Sequence, residues 1–386
     1  MIGRQETGTP LPERVIASLG SPERGDSLIV VGALHGNEPA GFEACRRVAE
    51  ALASREADID GRVTFVTGNR SALARGRRFI DRDLNRAWTT PIIERIRRDG
   101  PGSEVEDREQ ADLIRELDEL VATSTGTTYL LDLHTTSALG GAFSTVADSL
   151  PARQLALHLP VPLVLGLEEM VDGTLHDWIG EHGVITIAFE SGQHDEVAAA
   201  DRAEAAIWLV IEATGLVHST HLAEAQQARK DLARDSTGLP PALEMRYRHP
   251  VRPGDGFVMA PGWQNFQPVR KGETLAEDAD GPVRAPERGR MLMPLYQEQG
   301  EDGFFIVREF SAFWLWVSEA LRRAGFARGV HLLPGIRKHP EREGVFVVNR
   351  RVARWYALQV LHLLGFRRVR EEGDQLVVER RGVHYT

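Results

Sequence analysis

At 386 residues the chain exceeds what one hydrophobic core normally serves, so two domains with a smaller appendage are expected. With 46 basic against 56 acidic residues the net charge is -10, which argues against sequence-independent binding to nucleic acid or to an anionic membrane. Cys45 is the only cysteine, which excludes an intrachain disulfide. Met1 to Gly20 has no apolar core like a signal peptide, and no window approaches the run of roughly 20 apolar residues that a membrane helix needs. A cytoplasmic protein with neither nucleic-acid nor membrane partners is the expectation.

In chain order, Ser27 to Gly32 reads as a short buried strand that leads into Gly32-Ala33-Leu34-His35-Gly36-Asn37-Glu38. A helical pattern covers Ala40 to Ala53, and Arg62 to Thr67 forms a second strand. Arg75 to Trp88 is crowded with charge and reads as a long loop. Arg108 to Ala122 is helical, and Thr127 to Leu133 is a buried strand ending at His134. Val161 to Leu167 and Val184 to Phe189 resemble two further strands, with helical material between Gly173 and Glu181, and Glu196 to Thr214 is an alanine-rich helix. Strands alternating with helices predict an α/β layer architecture with a largely parallel or mixed sheet. Ligands of such sheets bind beyond the carboxyl ends of strands. His35, His134 and Glu190 each fall just past a predicted strand end, which lets them meet on one rim.

The composition shifts near Thr237-Gly238-Leu239-Pro240-Pro241, and from there to about Glu309 frequent Pro and Gly separate short apolar segments, the signature of a small all-β domain. The expected division is a catalytic domain over 1–240, a small β domain over 241–310 and an α+β extension over 311–386. In the extension, Phe313 to Ala324 and Val352 to Leu364 read as amphipathic helices, with Trp314, Trp316 and Trp355 expected in the core. Phe366 to Arg370 and Gln375 to Arg380 are expected to pair as a hairpin.

His35 and Glu38 place an imidazole and a carboxylate three residues apart at a strand end, and His134 offers a second imidazole at another. A lone histidine is by default a hydrogen-bonded core or surface residue. Two histidines and a carboxylate, however, form a catalytic zinc site with one position left open for water. In an extended segment Asp132 points to the same side as His134, where it could orient the ring or simply cap nearby backbone. The run Arg78 to Arg86 mixes arginine, aspartate and asparagine around Phe79, Ile80 and Leu84. Blandly it is a solvated charge run; partly buried, its arginines could grip a carboxylate in a bidentate fork, which implies a small anionic substrate. Glu190 follows the apolar run Ile185 to Phe189, and burial there raises a carboxyl pKa toward that of a general base, although strand-end glutamates are commonly just solvated.

These motifs together resemble the succinylglutamate desuccinylase and aspartoacylase family, a branch of the zinc carboxypeptidase-like fold. The resemblance rests on His35-Gly36-Asn37-Glu38, on Arg78 through Arg86, on Asp132 through Ser137, and on Glu190 with Gly192. It implies a three-layer catalytic domain followed by a small β domain. It implies further that His35, Glu38 and His134 hold one zinc ion per chain and that Glu190 is the general base and acid. Arg78 would polarise the scissile carbonyl, while Asn85 and Arg86 hold a substrate carboxylate. The implied chemistry is hydrolysis of the amide bond of an N-acyl amino acid or similar small amide.

The sequence departs from the family at two substrate-binding positions. The family's second arginine, shortly before the catalytic glutamate, has no counterpart between Leu155 and Gly183, and Arg153 lies too far upstream. The small domain's tyrosine is replaced by phenylalanine in Gly303-Phe304-Phe305, with Tyr296 nearby. Two histidines and a carboxylate are also the facial triad of non-haem iron oxygenases, which normally sit on β barrels. The same residues are compatible with a peptide-cleaving carboxypeptidase and with a non-catalytic ligand-binding protein. The oligomeric state is open, a homo-oligomer included.

Overall fold

The computed structural model describes residues 11–218, 222–340, 345–349, 366–372 and 375–380. Its centre is a mixed sheet of strands β1 (Val15–Gly20), β2 (Ser27–Gly32), β3 (Arg62–Thr67), β4 (Thr128–Thr136), β5 (Phe143–Val146), β6 (Leu163–Leu165), β7 (Ile185–Gln193) and β8 (Ala242–Pro250). The helices of this part are α1 (Pro39–Ala53), α2 (Arg70–Leu73), α3 (Thr90–Asp99), α4 (Val105–Thr123), α5 (Leu150–Ala156), α6 (Leu175–Gly180), α7 (Val197–Thr214) and α8 (Ala223–Asp235). Further along lie β9 (Val258–Met259), β10 (Pro268–Val269), β11 (Thr274–Asp278), β12 (Gly281–Arg284), β13 (Gly289–Leu292) and β14 (Asp302–Glu309). The sheet order is β1-β3-β2-β4-β7-β5-β6-β8-β14-β13-β10, while β12-β11-β9 form a separate small sheet.

Strand β2 shows why the layers form. All six of its residues are buried, as expected for a strand covered on both faces. Successive side chains leave opposite faces. Leu28 and Val30 join the core made with α1 and α7, whereas Ile29 and Val31 join the core made with α3, α4 and α6. The result is an α/β layer arrangement, as the alternation of elements predicts, with the three layers that the family resemblance implies. Parallel pairing of β2 with β3 and β4, and of β4 with β7, sets the carboxyl ends of these strands side by side.

Three local expectations change. Strands β4 and β7 continue through His134 and Glu190 to Thr136 and Gln193, so these two residues stand within strands, and only His35 follows a strand end. Their pairing is direct, with His134 opposite Glu190, and a register shift follows before Thr136 meets Gln193. The helices α3 and α8 are not apparent in the charge-rich sequence; each buries only a thin stripe, Ile93 and Ile96 in one, Ala225, Ala228 and Leu232 in the other. Edge strand β1, antiparallel to β3, and the short β5 are likewise additions to the expected elements.

Beyond residue 241, β8 pairs in parallel with β6 and antiparallel with β14, so the strands of this region extend the central sheet. The extension contributes α9 (Ala312–Arg323) and a sheet of β15 (Ile336–Lys338), β16 (Val345–Asn349), β17 (Phe366–Glu372) and β18 (Gln375–Arg380) in the order β15-β16-β18-β17. The expected hairpin forms between β17 and β18. Trp314 and Trp316 are 48% and 65% exposed, contrary to their expected burial, because α9 turns Ser318 and Arg322 toward Arg153 and Asp148 instead. Trp355 and the helix expected over 352–364 lie outside the described residues. No helix among the described residues is long and apolar enough to cross a membrane.

Candidate active site

The turn after β2 is tightly determined. Ala33 is fully buried with φ 56°, a left-handed conformation that costs a residue with a Cβ on the order of 1 kcal/mol. Its carbonyl accepts the Asn69 N–H at 2.8 Å. Gly36 packs so closely on the next layer that a Cβ there would lie 2.0 Å from the Ala72 carbonyl carbon. The Gly36 N–H also donates to the Arg78 carbonyl at 3.1 Å, tying the turn to the loop that carries the arginines.

On this frame His35, Glu38 and His134 converge, with one donor atom from each lying within 4.8 Å of the others and all three residues buried. His35 Nδ1 is 2.8 Å from Glu38 Oε1, and His134 Nδ1 is 3.0 Å from Glu38 Oε2. The opposite ring edges face carboxylates too: His35 Nε2 is 3.2 Å from Asp83 Oδ1, and His134 Nε2 is 2.9 Å from Asp132 Oδ2. A neutral His35 ring that gives its Nε2 hydrogen to Asp83 presents a bare Nδ1 lone pair to Glu38, an acceptor facing an acceptor. A cation between them removes that conflict, and carboxylate-backed imidazoles are the usual companions of a bound metal. The donor set therefore fits zinc, with Asp132 where the sequence allowed an orienting role and Asp83 as a second such group that no sequence signal singles out.

The electrostatics agree with this arrangement. Burial alone raises the Glu38 carboxyl, but the two imidazoles overcome it and hold the group well below the ordinary carboxylate range. Burial opposes charge on His134, yet Asp132 and Glu38 carry its pKa well above the ordinary value. Asp83, also penalised by burial, is held well below its usual value by Arg78 and then His35. Glu190 goes the other way: burial pushes it up to about 8, with Glu38 and Asp132 adding to the rise while His134 opposes it. Its Oε2 is buried without a hydrogen-bond partner, the state of a group kept available for a proton.

His35, Glu38, His134, Glu190, Arg78, Asn85 and Arg86 all line one cavity of about 110 Å³. Arg78 donates through Nε and Nη2 to Asp83 Oδ2 at 3.1 and 2.9 Å, and its Nη1 reaches Glu38 Oε1 at 3.5 Å. Asn85 Oδ1 accepts the Leu175 N–H at 2.9 Å at the start of α6, which leaves Nδ2 as the side chain's offer to a ligand. Arg86 is more constrained than a free gripping arginine. It donates to the Asn85 carbonyl at 2.8 Å and to Asp302 Oδ2 at 2.6 Å, while its buried Nε has no partner. Asp302 is held from its other oxygen by Arg248 of β8.

Arg153 is buried in an ion pair with Asp148 and in a hydrogen bond to Ser318 at 3.0 Å, away from the cavity lining. Tyr296 likewise spends its hydroxyl on the Ala260 carbonyl at 2.7 Å. From the 290–305 region it is Met293, Leu295, Gln297 and Phe305 that face the cavity, together with Gly300, Glu301 and Asp302. No local motif marks Asp302, Arg248 or Gln297 in the sequence; they act through contacts more than 50 residues distant in the chain.

The arginine loop owes its shape to another residue without a sequence signature. Glu106 on α4 is fully buried and accepts the N–H groups of Ile80, Asp81 and Arg82 at 2.7, 2.9 and 3.3 Å, plus Asn69 Nδ2 at 3.0 Å. Glu106→Gln keeps the volume but turns a four-donor acceptor into a group with its own donors. A loss of about 2 to 4 kcal/mol in urea unfolding is expected. An unchanged midpoint would remove the loop-anchoring role.

Comparison with known proteins places this geometry. Residues 24–212 match the succinylglutamate desuccinylase/aspartoacylase catalytic domain family. Among curated proteins, a succinylglutamate desuccinylase from Pseudomonas paraeruginosa is 37% identical over 73 residues, 19% of this chain and 22% of that protein. The chain thus aligns with only about a fifth of the length of such relatives. Among solved structures, the succinylglutamate desuccinylase/aspartoacylase from Rhodobacter sphaeroides aligns with TM-score 0.55 at 17% identity, over 77% of this chain and 88% of that one. The product-bound ectoine utilization protein from Ruegeria pomeroyi aligns with TM-score 0.52 at 20% identity, over 75% and 86% of the two chains. At such identities the structural likeness speaks for the fold, and the family match speaks for the domain that carries the site. Residues 24–212 are thus similar to the catalytic domain of the succinylglutamate desuccinylase/aspartoacylase family.

Proposed function

We propose that the chain is a zinc-dependent deacylase that hydrolyses the amide bond of an N-acyl amino acid or a similar small carboxylate-bearing amide. The observation that carries this reading is the convergence of His35, Glu38 and His134, with Glu190 opposite His134 on the neighbouring strand. Zinc held by those three residues supplies Lewis acidity to the carbonyl and makes water a stronger acid. Glu190 takes a proton from the attacking water and delivers it to the departing nitrogen as the C–N bond breaks. The hydroxyl thereby ends on the acyl carbon and both protons are accounted for. Arg78, fixed by Asp83 beside Glu38, brings a positive charge against the oxygen that becomes negative as the carbonyl carbon turns tetrahedral. Asn85 Nδ2 and the unpartnered Nε of Arg86 are donors suited to a substrate carboxylate. Catalysis then belongs to the part before residue 240, and closure of the cavity to 241–310.

The deciding experiment is metal analysis of protein purified without added metal, combined with turnover of a panel of N-acyl amino acids. Zinc near one equivalent is expected, with hydrolysis lost on chelation and restored by zinc. Iron without zinc would point to oxygenase chemistry, and bound zinc with no turnover to a binding protein. Dipeptides of matched side chains, run in parallel, separate a deacylase from a carboxypeptidase.

Arg86→Ala is expected to raise KM about 10- to 100-fold, the worth of one charge-assisted hydrogen bond, with zinc content unchanged. Because Arg86 also pairs with Asp302, a melting curve belongs with the kinetics. Loss of zinc together with the fold would make the residue structural.

A further inference from the structure

Gln297 stands between two cavities. One is the catalytic cavity of about 110 Å³, and the other, of about 630 Å³, is lined among others by Asn37, Leu73, Gly76, His194 and Tyr296. Besides Gln297, only Ser137 among the lining residues borders both. Ser137 is a fixed post: its Oγ donates to the Pro294 carbonyl and accepts the Tyr296 N–H, both at 3.0 Å. The backbone that carries Gln297 is thereby tied to the strand segment just beyond His134.

The Gln297 side chain is held from the opposite direction. Its Oε1 accepts from Asn37 Nδ2 at 2.8 Å and lies 3.0 Å from His194 Nε2. His194 Nδ1 is 2.6 Å from Thr135 Oγ1; with that hydroxyl as the donor, the ring hydrogen sits on Nε2, facing Gln297. Burial lowers the His194 pKa, in keeping with a neutral ring. With Asn37 Nδ2 and His194 Nε2 as donors, the oxygen is the end of the Gln297 amide that meets both. Asn37 lies inside the His35-to-Glu38 turn, and the Thr135 N–H donates to Glu38 Oε2 at 3.0 Å. The latch is thus built on the neighbours of the proposed metal ligands, and a side chain so held acts as a firm wall.

We propose that Gln297 determines substrate size: its side chain partitions the small catalytic cavity from the larger neighbouring one and limits the length of the group accepted next to His35, Glu38 and His134. The proposal rests on the deacylase reading above. Shortening the side chain joins the two spaces, so longer amides gain room that the native enzyme denies them. The ligand class that gains is an extension of the acyl chain or of the amino-acid side chain with polar as well as apolar groups, since Gln193, His194 and Asp195 line the larger space beside Leu73 and Tyr296.

The test measures kcat/KM for two substrate series, one lengthening the acyl chain and one the amino-acid side chain, alongside Kd values for zinc-binding hydroxamates of matching lengths. Gln297→Ala is expected to raise the long-to-short ratio about tenfold or more in at least one series, the discrimination that a few methylenes carry in a closed pocket. Gln297→Met, which keeps the volume but loses the polar bonds that hold the wall, is expected to raise the ratio by less than Gln297→Ala. His194→Ala, which frees the wall without removing it, is expected to shift the ratio in the same direction by less, and guards against a poorly folded Gln297→Ala. Native turnover with unchanged ratios in both Gln297→Ala and His194→Ala overturns the partition alone. Absence of both turnover and hydroxamate binding in the native protein overturns the deacylase reading, and the partition with it.

Discussion

Glu190→Gln is expected to lower kcat by about 10²- to 10⁴-fold while zinc content and melting temperature hold, because the change removes a proton acceptor and little volume. Glu190 is the one carboxylate of the cavity that burial leaves with a raised pKa and a buried, unpartnered oxygen. The ionised form is the base, so activity should fall as pH drops through its pKa. In the absence of metal that value is about 8. A dication beside it favours the ionised form, so the acid limb of the pH–kcat/KM profile is expected below that value. The same limb should vanish from the residual activity of Glu190→Gln. A variant that keeps native kcat, or that loses zinc in parallel with activity, would remove Glu190 from the role of base.

Asp83→Ala is the second large effect. One buried carboxylate faces the His35 ring, accepts the Arg78 guanidinium through two nitrogens, and caps the Asn85 N–H at 2.8 Å. Its removal strands the Arg78 charge in a buried setting, a loss of about 3 to 5 kcal/mol for a broken buried pair. The His35 ring loses the partner that fixes its tautomer, for which a drop of about 10- to 100-fold in zinc affinity is expected. Competition with a fluorescent chelator reads the affinity, and urea unfolding of the metal-free protein reads the stability. Asp83→Asn should recover part of the affinity and less of the stability, since an amide can accept from His35 but cannot neutralise Arg78. Native zinc affinity in both variants would leave Asp83 as a loop cap only.

The sequence by itself carried the framework. Continuous apolar runs such as Leu28 to Val31 and Tyr129 to Leu131 mark strands covered on both faces, and that pattern is local, set by a few consecutive residues. The His35-to-Glu38 turn, His134 and the Arg78-to-Arg86 loop were legible for the same reason, as chemically unusual residues next to a strand signal. Tertiary structure decided the rest. It placed His134 and Glu190 within paired strands, and gave His35 an aspartate partner from a loop 48 residues away. It also shaped the arginine loop around Glu106, coupled Arg86 to Asp302 and Arg248, and set Gln297 against Asn37 and His194. No periodicity announces such contacts, because each depends on where the sheet carries two distant segments. The proposed reaction class therefore rests on local motifs, whereas the walls of the cavity emerge only when residues before 200 meet residues after 240.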